Sequence, residues 1–433
     1  MDSIEQRTIS KVTWRLVPFL MFCYFIAFLD RVNNGFAGGP MSKDLGLSAS
    51  QFGFAAGIFF IAYFFFEVPS NLALDKFGAR RWIARIMFTW GLVSVAQGFV
   101  TGIGSFTAVR LLLGVAEAGF FPGIIFFLTL WFPSVYRARI VGLFMFAIPI
   151  STVIGSPISG IILDHLNGVM GLHGWQWMFI VEAIPALIMA FVVWFYLTDR
   201  PSDANWLADD EKKWLQGRLD SERALRESKV KLRWTQVLAN PRVWALGIVY
   251  YGITGPQYGL SFFLPQIIKG FGGLSNTQVG LINAFPFAVG AVTMILWSRM
   301  SDAAHERKIH FIIPALAITV GLVGAALFSS PTLQILSIAV ASFGFFASLP
   351  VFWTLPTAYL SGTAAAAGIA AVNSIGNLGG YIGPQVFGLL KDYTGSAFAG
   401  YMFLASLGLL AAVIVLIIGH DPAMEKAGAA PAE

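Results

Sequence analysis

Charge, cysteine and clustered chemical side chains are all scarce in this 433-residue chain. Only 12% of it is Asp, Glu, Lys or Arg, against 57% hydrophobic residues and 40 Phe, a balance that a water-soluble globule of this size does not show. The single cysteine, Cys23, excludes an intramolecular disulfide. Five scattered His make no recognisable metal cluster, and no Ser-His-Asp or His-Glu grouping suggests an enzyme. No catalytic residue, metal or cofactor is expected.

What the chain has instead is apolar runs of about 20 residues, each long enough to cross a hydrocarbon core of about 30 Å as a helix. Twelve are expected, near 16–38, 52–74, 82–101, 105–131, 138–163, 176–197, 242–268, 278–299, 310–328, 333–355, 362–390 and 397–419. The first follows a mixed-charge head without a small-residue cleavage site, so it is expected to be a retained helix and not a signal peptide. Twelve spans put both termini on one side. Of the 28 Lys and Arg, Lys43, Lys269 and Lys391 fall in the opposite loops and Arg31 and Arg110 deep within spans; all the others lie in the loops, tails or span ends on the side of the termini. The positive-inside rule makes that side cytoplasmic, in a bacterial-type inner membrane. The net charge of +5 is thus an orientation signal, and no nucleic-acid partner is expected.

Charges inside the spans carry the functional signal. Arg110 and Glu117 are seven residues apart, close to two helical turns, so both side chains share a face. At that depth ionisable groups are costly unless they meet a partner or a water-filled cavity. The alternative is a structural ion pair locking two helices, whose breakage is strongly destabilising. In the first span, Asp30 and Arg31 are adjacent and point about 100° apart, so they address different partners. Gly38 and Gly39 mark the expected end of that helix, and the alternative there is that both side chains snorkel to water.

A repeat organises the rest. Asp75-Lys76-Phe77-Gly78-Ala79-Arg80-Arg81 is echoed 227 residues later by Asp302 with Glu306, Arg307 and Lys308; Pro157 precedes Pro384 by the same offset, and Asp164 precedes Asp392 by 228. Parallel repeats of six spans build transporters with a midplane substrate site between the halves. The expected organisation is a six-helix bundle over 1–197, a cytoplasmic linker over 198–240 and a second bundle over 241–433. In the linker Trp206, Leu207, Trp214, Leu215 and Leu219 form an apolar stripe, expected to lie on the inner leaflet.

The Asp75–Arg81 tract resembles the loop signature of the major facilitator superfamily, with Asn71 standing where that motif has Gly. More narrowly, Leu29-Asp30-Arg31-Val32-Asn33, Arg110 with Gly114, Glu117 and Pro122, Trp131-Phe132-Pro133, Trp175 to Glu182, and Asn373 to Gly380 resemble the anion:cation symporter family, which includes permeases for tartrate, phthalate, hydroxyphenylacetate and sugar acids. The resemblance implies an all-α membrane fold of twelve helices in two pseudo-symmetric bundles. It also implies that Asp30 and Glu117 couple protons and that Arg31 binds the anion.

The residues support the same division of labour. Asp30, Arg31, Glu67, Arg110, Glu117 and Glu182 all lie in the first half, whereas the second offers Tyr250, Tyr251, Gln257, Tyr258, Asn283, Trp353, Asn373 and Asn377; the last six and Tyr63 are the substrate-binding candidates. With both carboxylates ionised, Asp30, Arg31, Arg110 and Glu117 sum to zero. Protonating both leaves about two positive charges to attract a carboxylate held by Arg31 and Arg110. Glu67, Asp75, Arg80, Arg81, Asp302 and Arg307 are read as a cytoplasmic gate, and no role for Glu182 follows from the sequence. The expected partners are a small organic anion, protons and the bilayer, with one chain sufficient for function. The expected activity is proton-coupled import by alternating access. The alternatives are a uniporter or a proton antiporter, the latter implied by the resemblance of Gly155-Ser156-Pro157 to a motif met in antiporters.

Overall fold

The computed structural model describes residues 3–227, 239–304, 306–359 and 363–418. Sixteen α-helices and no strands occupy them: α1 (Ile4–Leu45), α2 (Ala49–Phe77), α3 (Ala79–Gln97), α4 (Ile103–Glu117), α5 (Phe120–Thr129), α6 (Ser134–Met145), α7 (Ala147–His165), α8 (Gly174–Tyr196), α9 (Asp209–Glu227), α10 (Pro241–Lys269), α11 (Asn276–Ala304), α12 (Lys308–Leu327), α13 (Pro331–Tyr359), α14 (Thr363–Asn377), α15 (Gly379–Thr394) and α16 (Phe398–Ile418). Helix is what apolar sequence must form in lipid, because it satisfies backbone N–H and C=O groups within the segment.

Among the described residues nine helices or helix pairs are long and apolar enough to cross a membrane. The three remaining expected runs are also helical: α3, α10, and the broken pair α14–α15. Their lower apolarity has a physical cause. α3 carries Arg80, Arg81 and Arg85 at its start, α10 spends positions on Tyr250, Tyr251, Gln257 and Tyr258, and α14–α15 is interrupted at Leu378 within a glycine-rich tract.

Two expected boundaries move. α1 does not stop at Gly38 and Gly39 but continues to Leu45, where Gly46 ends it in the left-handed region at φ +65°. Those glycines sit where other elements come close: a Cβ on Gly38 would lie 2.6 Å from Phe52. Asp30 and Arg31 therefore sit deep along a 42-residue helix, Asp30 is 1% exposed, and the snorkelling alternative is excluded. The expected span near 105–131 breaks directly after Glu117. Gly119, at φ +86°, turns the chain there, and a Cβ on it would lie 2.6 Å from that of Ser70.

Contacts between the first and second parts of the chain are made by α1 with α10, α7 with α11, and α2 with α15. At the end where α1 finishes and α2 begins, two carboxylates tie these pairs. Asp164 accepts from the backbone N–H groups of Asn276 and Thr277 at 3.0 and 2.7 Å and from both their side chains. Asp392 accepts from the N–H groups of Ala49 and Ser50 at 3.0 and 2.7 Å. Each carboxylate caps the N-terminus of the helix opposite, where free N–H groups and the helix dipole favour an anion. The two caps stand at repeat-related positions.

Part of the expected linker, residues 228–238, lies outside the described residues, as does the tail from 419. The described part departs from the lipid-facing expectation for its stripe: Leu207 and Leu215 are buried against the bundle, and Trp206 stacks on Trp131 with ring centroids 5.3 Å apart. Protein, not lipid, covers that stripe. Arg7 and Lys11 of α1 pin α9 from the other side, reaching Glu211 at 3.1 and 2.9 Å. Burial pushes the Glu211 carboxyl up, but the Ala208 N–H, Lys11 and Arg7 outweigh it and hold it below the usual glutamate value.

Candidate functional site

A cavity opens between α1, α2, α10 and α14, with walls of Tyr24, Phe28, Arg31, Phe59, Phe60, Tyr63, Phe121, Met145, Ile148, Tyr250, Thr254, Gln257, Tyr258, Leu349, Asn373 and Asn377. Among the described residues Arg31 is the only charged side chain in that wall. Its position follows from helix geometry, because Tyr24, Phe28 and Arg31 recur at i, i+4 and i+7 on one face of α1.

Arg31 is held from two directions. Its Nη2 donates to Glu117 Oε1 at 2.5 Å, and its Nη1 donates to the Tyr258 hydroxyl at 2.9 Å. The first bond ties α1 to the C-terminus of α4. The second crosses to α10, and the two partners are separated by 227 residues, the repeat offset, so equivalent positions of the two repeats meet in the cavity. Phe28 and Phe59 lie under the guanidinium, 4.7 and 5.4 Å from its carbon to the ring centroids.

Glu117 is 1% exposed and lies behind Arg31, so a group in the cavity meets the arginine first. Arg110 does not pair with Glu117 by an ion-pair contact and is not brought to the cavity. It is 1% exposed, donates from Nη2 to the Ala56 carbonyl at 2.7 Å, and lies over Phe59 at 5.0 Å. Glu117, the last residue of α4, gives its carboxylate to Arg31 of α1 instead. Asp30 also stays behind the wall. Its Oδ2 accepts from the Trp90 indole at 2.5 Å and its Oδ1 from Asn33 at 3.4 Å.

Of the substrate-binding candidates, Tyr63, Gln257, Tyr258, Asn373 and Asn377 line the cavity. Asn283 and Trp353 do not: Asn283 donates to the Ser156 hydroxyl at 2.8 Å between α11 and α7, and the Trp353 ring packs on Tyr250 and Phe352. The six gate candidates are not brought together. Glu67 is buried and accepts from Asn373 at 3.1 Å, joining α2 to α14 at the cavity edge. Arg80 meets Asp199, with its backbone N–H at 2.8 Å and its side chain at 3.9 Å. Asp302 pairs locally with Arg307 at 2.6 Å, while Asp75 and Arg81 are exposed. Sequence reasoning missed Tyr24 and Thr254 in the wall and Trp90 behind it. The i, i+4, i+7 spacing to Arg31 was a usable signal for Tyr24; nothing local marks Trp90, which reaches Asp30 from 60 positions away.

The family model described as Major Facilitator Superfamily matches residues 20–384. The chain belongs to the major facilitator superfamily. Its relatives include a protein of Agrobacterium vitis named "Putative tartrate transporter", 49% identical and covered over 100% of this chain and 99% of its own length. A second, from Acinetobacter baumannii and named "Quinolone resistance transporter", is 41% identical over 96% of this chain and 95% of its own. Among solved structures, the xylose transporter XylE from Escherichia coli in a partially occluded inward-open conformation superposes with a TM-score of 0.73 at 16% identity, covering 94% of this chain and 100% of that one. The chain is thus a multi-pass membrane transporter of a small molecule and not an enzyme, with the fold of its superfamily.

Proposed function

We propose that this transporter is a proton-coupled symporter that imports a small organic anion by alternating access, with both termini cytoplasmic and two rocking halves, 1–197 and 241–433, joined by the linker 198–240. One observation carries the reading: among the described residues a single arginine stands in an otherwise neutral cavity wall, neutralised from behind by a buried glutamate. A proton on Glu117 removes the charge that holds Arg31, and the freed guanidinium takes a substrate carboxylate by charge-assisted hydrogen bonds. Tyr258, Gln257, Asn373 and Asn377 present hydroxyl and amide groups from the second half, which suit a hydroxylated acid. The Agrobacterium relative named for tartrate supports that class, and L-tartrate is the first substrate to try.

Export is the second reading, favoured by Gly155-Ser156-Pro157 and by the relative named for quinolone resistance. Direction separates them. Uptake of L-tartrate into proteoliposomes should rise with an inward proton gradient for symport; a requirement for an outward gradient would favour the antiporter. A thermal-shift screen of organic acids tests the substrate class independently, because a ligand stabilises the state that it binds.

A further inference from the structure

Asp30 and Glu182 are both buried, neither borders the cavity, and neither forms an ion pair among the described residues. Glu182, on α8, accepts one hydrogen bond, from the Ser159 hydroxyl on α7 at 2.7 Å; its second oxygen is buried without a partner. On its α1 side stands Asn33, whose amide donates to Asp30 at 3.4 Å and also faces Glu182. The two carboxyls are thus neighbours across one amide. Asp30 in turn faces Arg110 and Glu117, and Glu117 is already taken by Arg31.

Charge counting then constrains the group. Among the described residues Arg31 and Glu117 cancel, which leaves Arg110, facing Asp30, as one positive charge for the two carboxyls. Were both ionised, a net negative charge would stay buried without a counter-ion, at a cost of several kcal/mol. One proton shared between them makes the group neutral, as with other paired carboxyls. We propose that Asp30 and Glu182 act as one proton-sharing pair, with Arg110 as the counter-charge that Asp30 faces. Loading a second proton onto that pair turns the interior positive and favourable to an anion. This inference rests on the symport reading and adds a second carboxyl to it. Glu182 is a positioning residue here, setting the proton occupancy of Asp30 from behind the cavity wall.

Glu182→Gln keeps the side-chain size and an acceptor for Ser159 while removing the titratable group. pH-difference infrared spectroscopy of the full chain in lipid reads protonated carboxyl bands without any substrate. The Asp30 component is identified by its loss in Asp30→Asn. In Glu182→Gln the carboxyl titration should lose one component and the Asp30 midpoint should move by about one pH unit, as interacting sites require. An unmoved Asp30 midpoint would overturn the pair. Ser159→Ala is the second variant: stripping the one hydrogen bond from Glu182 should also displace the Asp30 titration, and an unmoved titration there overturns the proposal equally. A wild-type chain that shows the shared titration but accumulates no acid under a proton gradient would reject the symport reading and leave the pair standing.

Discussion

Arg31 and Arg110 look alike in the sequence, each an arginine inside a span beside a carboxylate, yet their surroundings assign them different work. Arg31 has the Glu117 carboxylate and the Tyr258 hydroxyl at its two ends and the cavity in front. Arg110 has a backbone carbonyl, a phenyl face and no exposed edge. Arg31→Lys, which keeps a positive charge beside the buried Glu117 but loses the two-ended guanidinium, should therefore sharply reduce L-tartrate uptake while leaving thermal stability close to wild type. Arg110→Met removes the counter-charge of buried carboxyls and should cost about 3–5 kcal/mol, seen as a markedly lower melting temperature in detergent. Equal melting temperatures for the two variants would show that Arg110 is not structural in this sense. Burial of both arginines was legible in the sequence because charge is rare in these runs. Which of them meets Glu117 was not, since that depends on a neighbour 86 residues away.

Elements explain most of what sequence reasoning reached and missed. Runs of apolar residues mark helices directly, and most of the polar residues that interrupt them in α10 and α14, Tyr250, Gln257, Tyr258, Asn373 and Asn377, line the cavity, so weak hydropathy there reports the site. Helix ends were harder. Gly38 and Gly39 read as a terminus, but their small size serves close packing and α1 runs on; the run 105–131 reads as one helix, but Gly119 turns the chain within it. The stripe on the linker was found, whereas its cover was not, because an apolar face does not say whether lipid or protein meets it. The Glu211 contact makes that cover testable. Its carboxyl is held below the usual value, so its contribution is full above the unfolded-state pKa of about 4.3 and is lost as pH falls through the lower folded value. Hydrogen exchange across α9 should accelerate in that acid range, and more so in Lys11→Ala; uniform exchange down to pH 3, roughly, would show that the stripe alone holds the helix.

For the whole molecule, the closed end matters most. The repeat offset, visible as Asp164 and Asp392, places two carboxylates on opposite helix N-termini, so one structural device is used twice around the cavity. Both carboxylates are exposed, and a helix N-cap is worth roughly 0.5–2 kcal/mol, enough for two caps to bias an alternating-access equilibrium. Asp164→Asn and Asp392→Asn should each shift spin-label distances across that end toward an open population, and the double variant should shift them further. Unchanged distances in the double variant would assign closure to the packing of α1 on α10, α7 on α11 and α2 on α15 alone. The partners of each cap, 112 and 343 positions away in the chain, could be read from the repeat only as equivalent to one another, not as touching across the halves.

The link between a proton and the anion rests on Glu117 releasing Arg31. L-tartrate uptake driven by an inward proton gradient and L-tartrate counterflow without a gradient, measured in parallel on wild-type and Glu117→Gln proteoliposomes, tests it most directly. Glutamine keeps the shape and cannot carry the proton. The expected result is loss of gradient-driven accumulation with counterflow still measurable in the variant; accumulation equal to wild type would contradict the coupling role of Glu117.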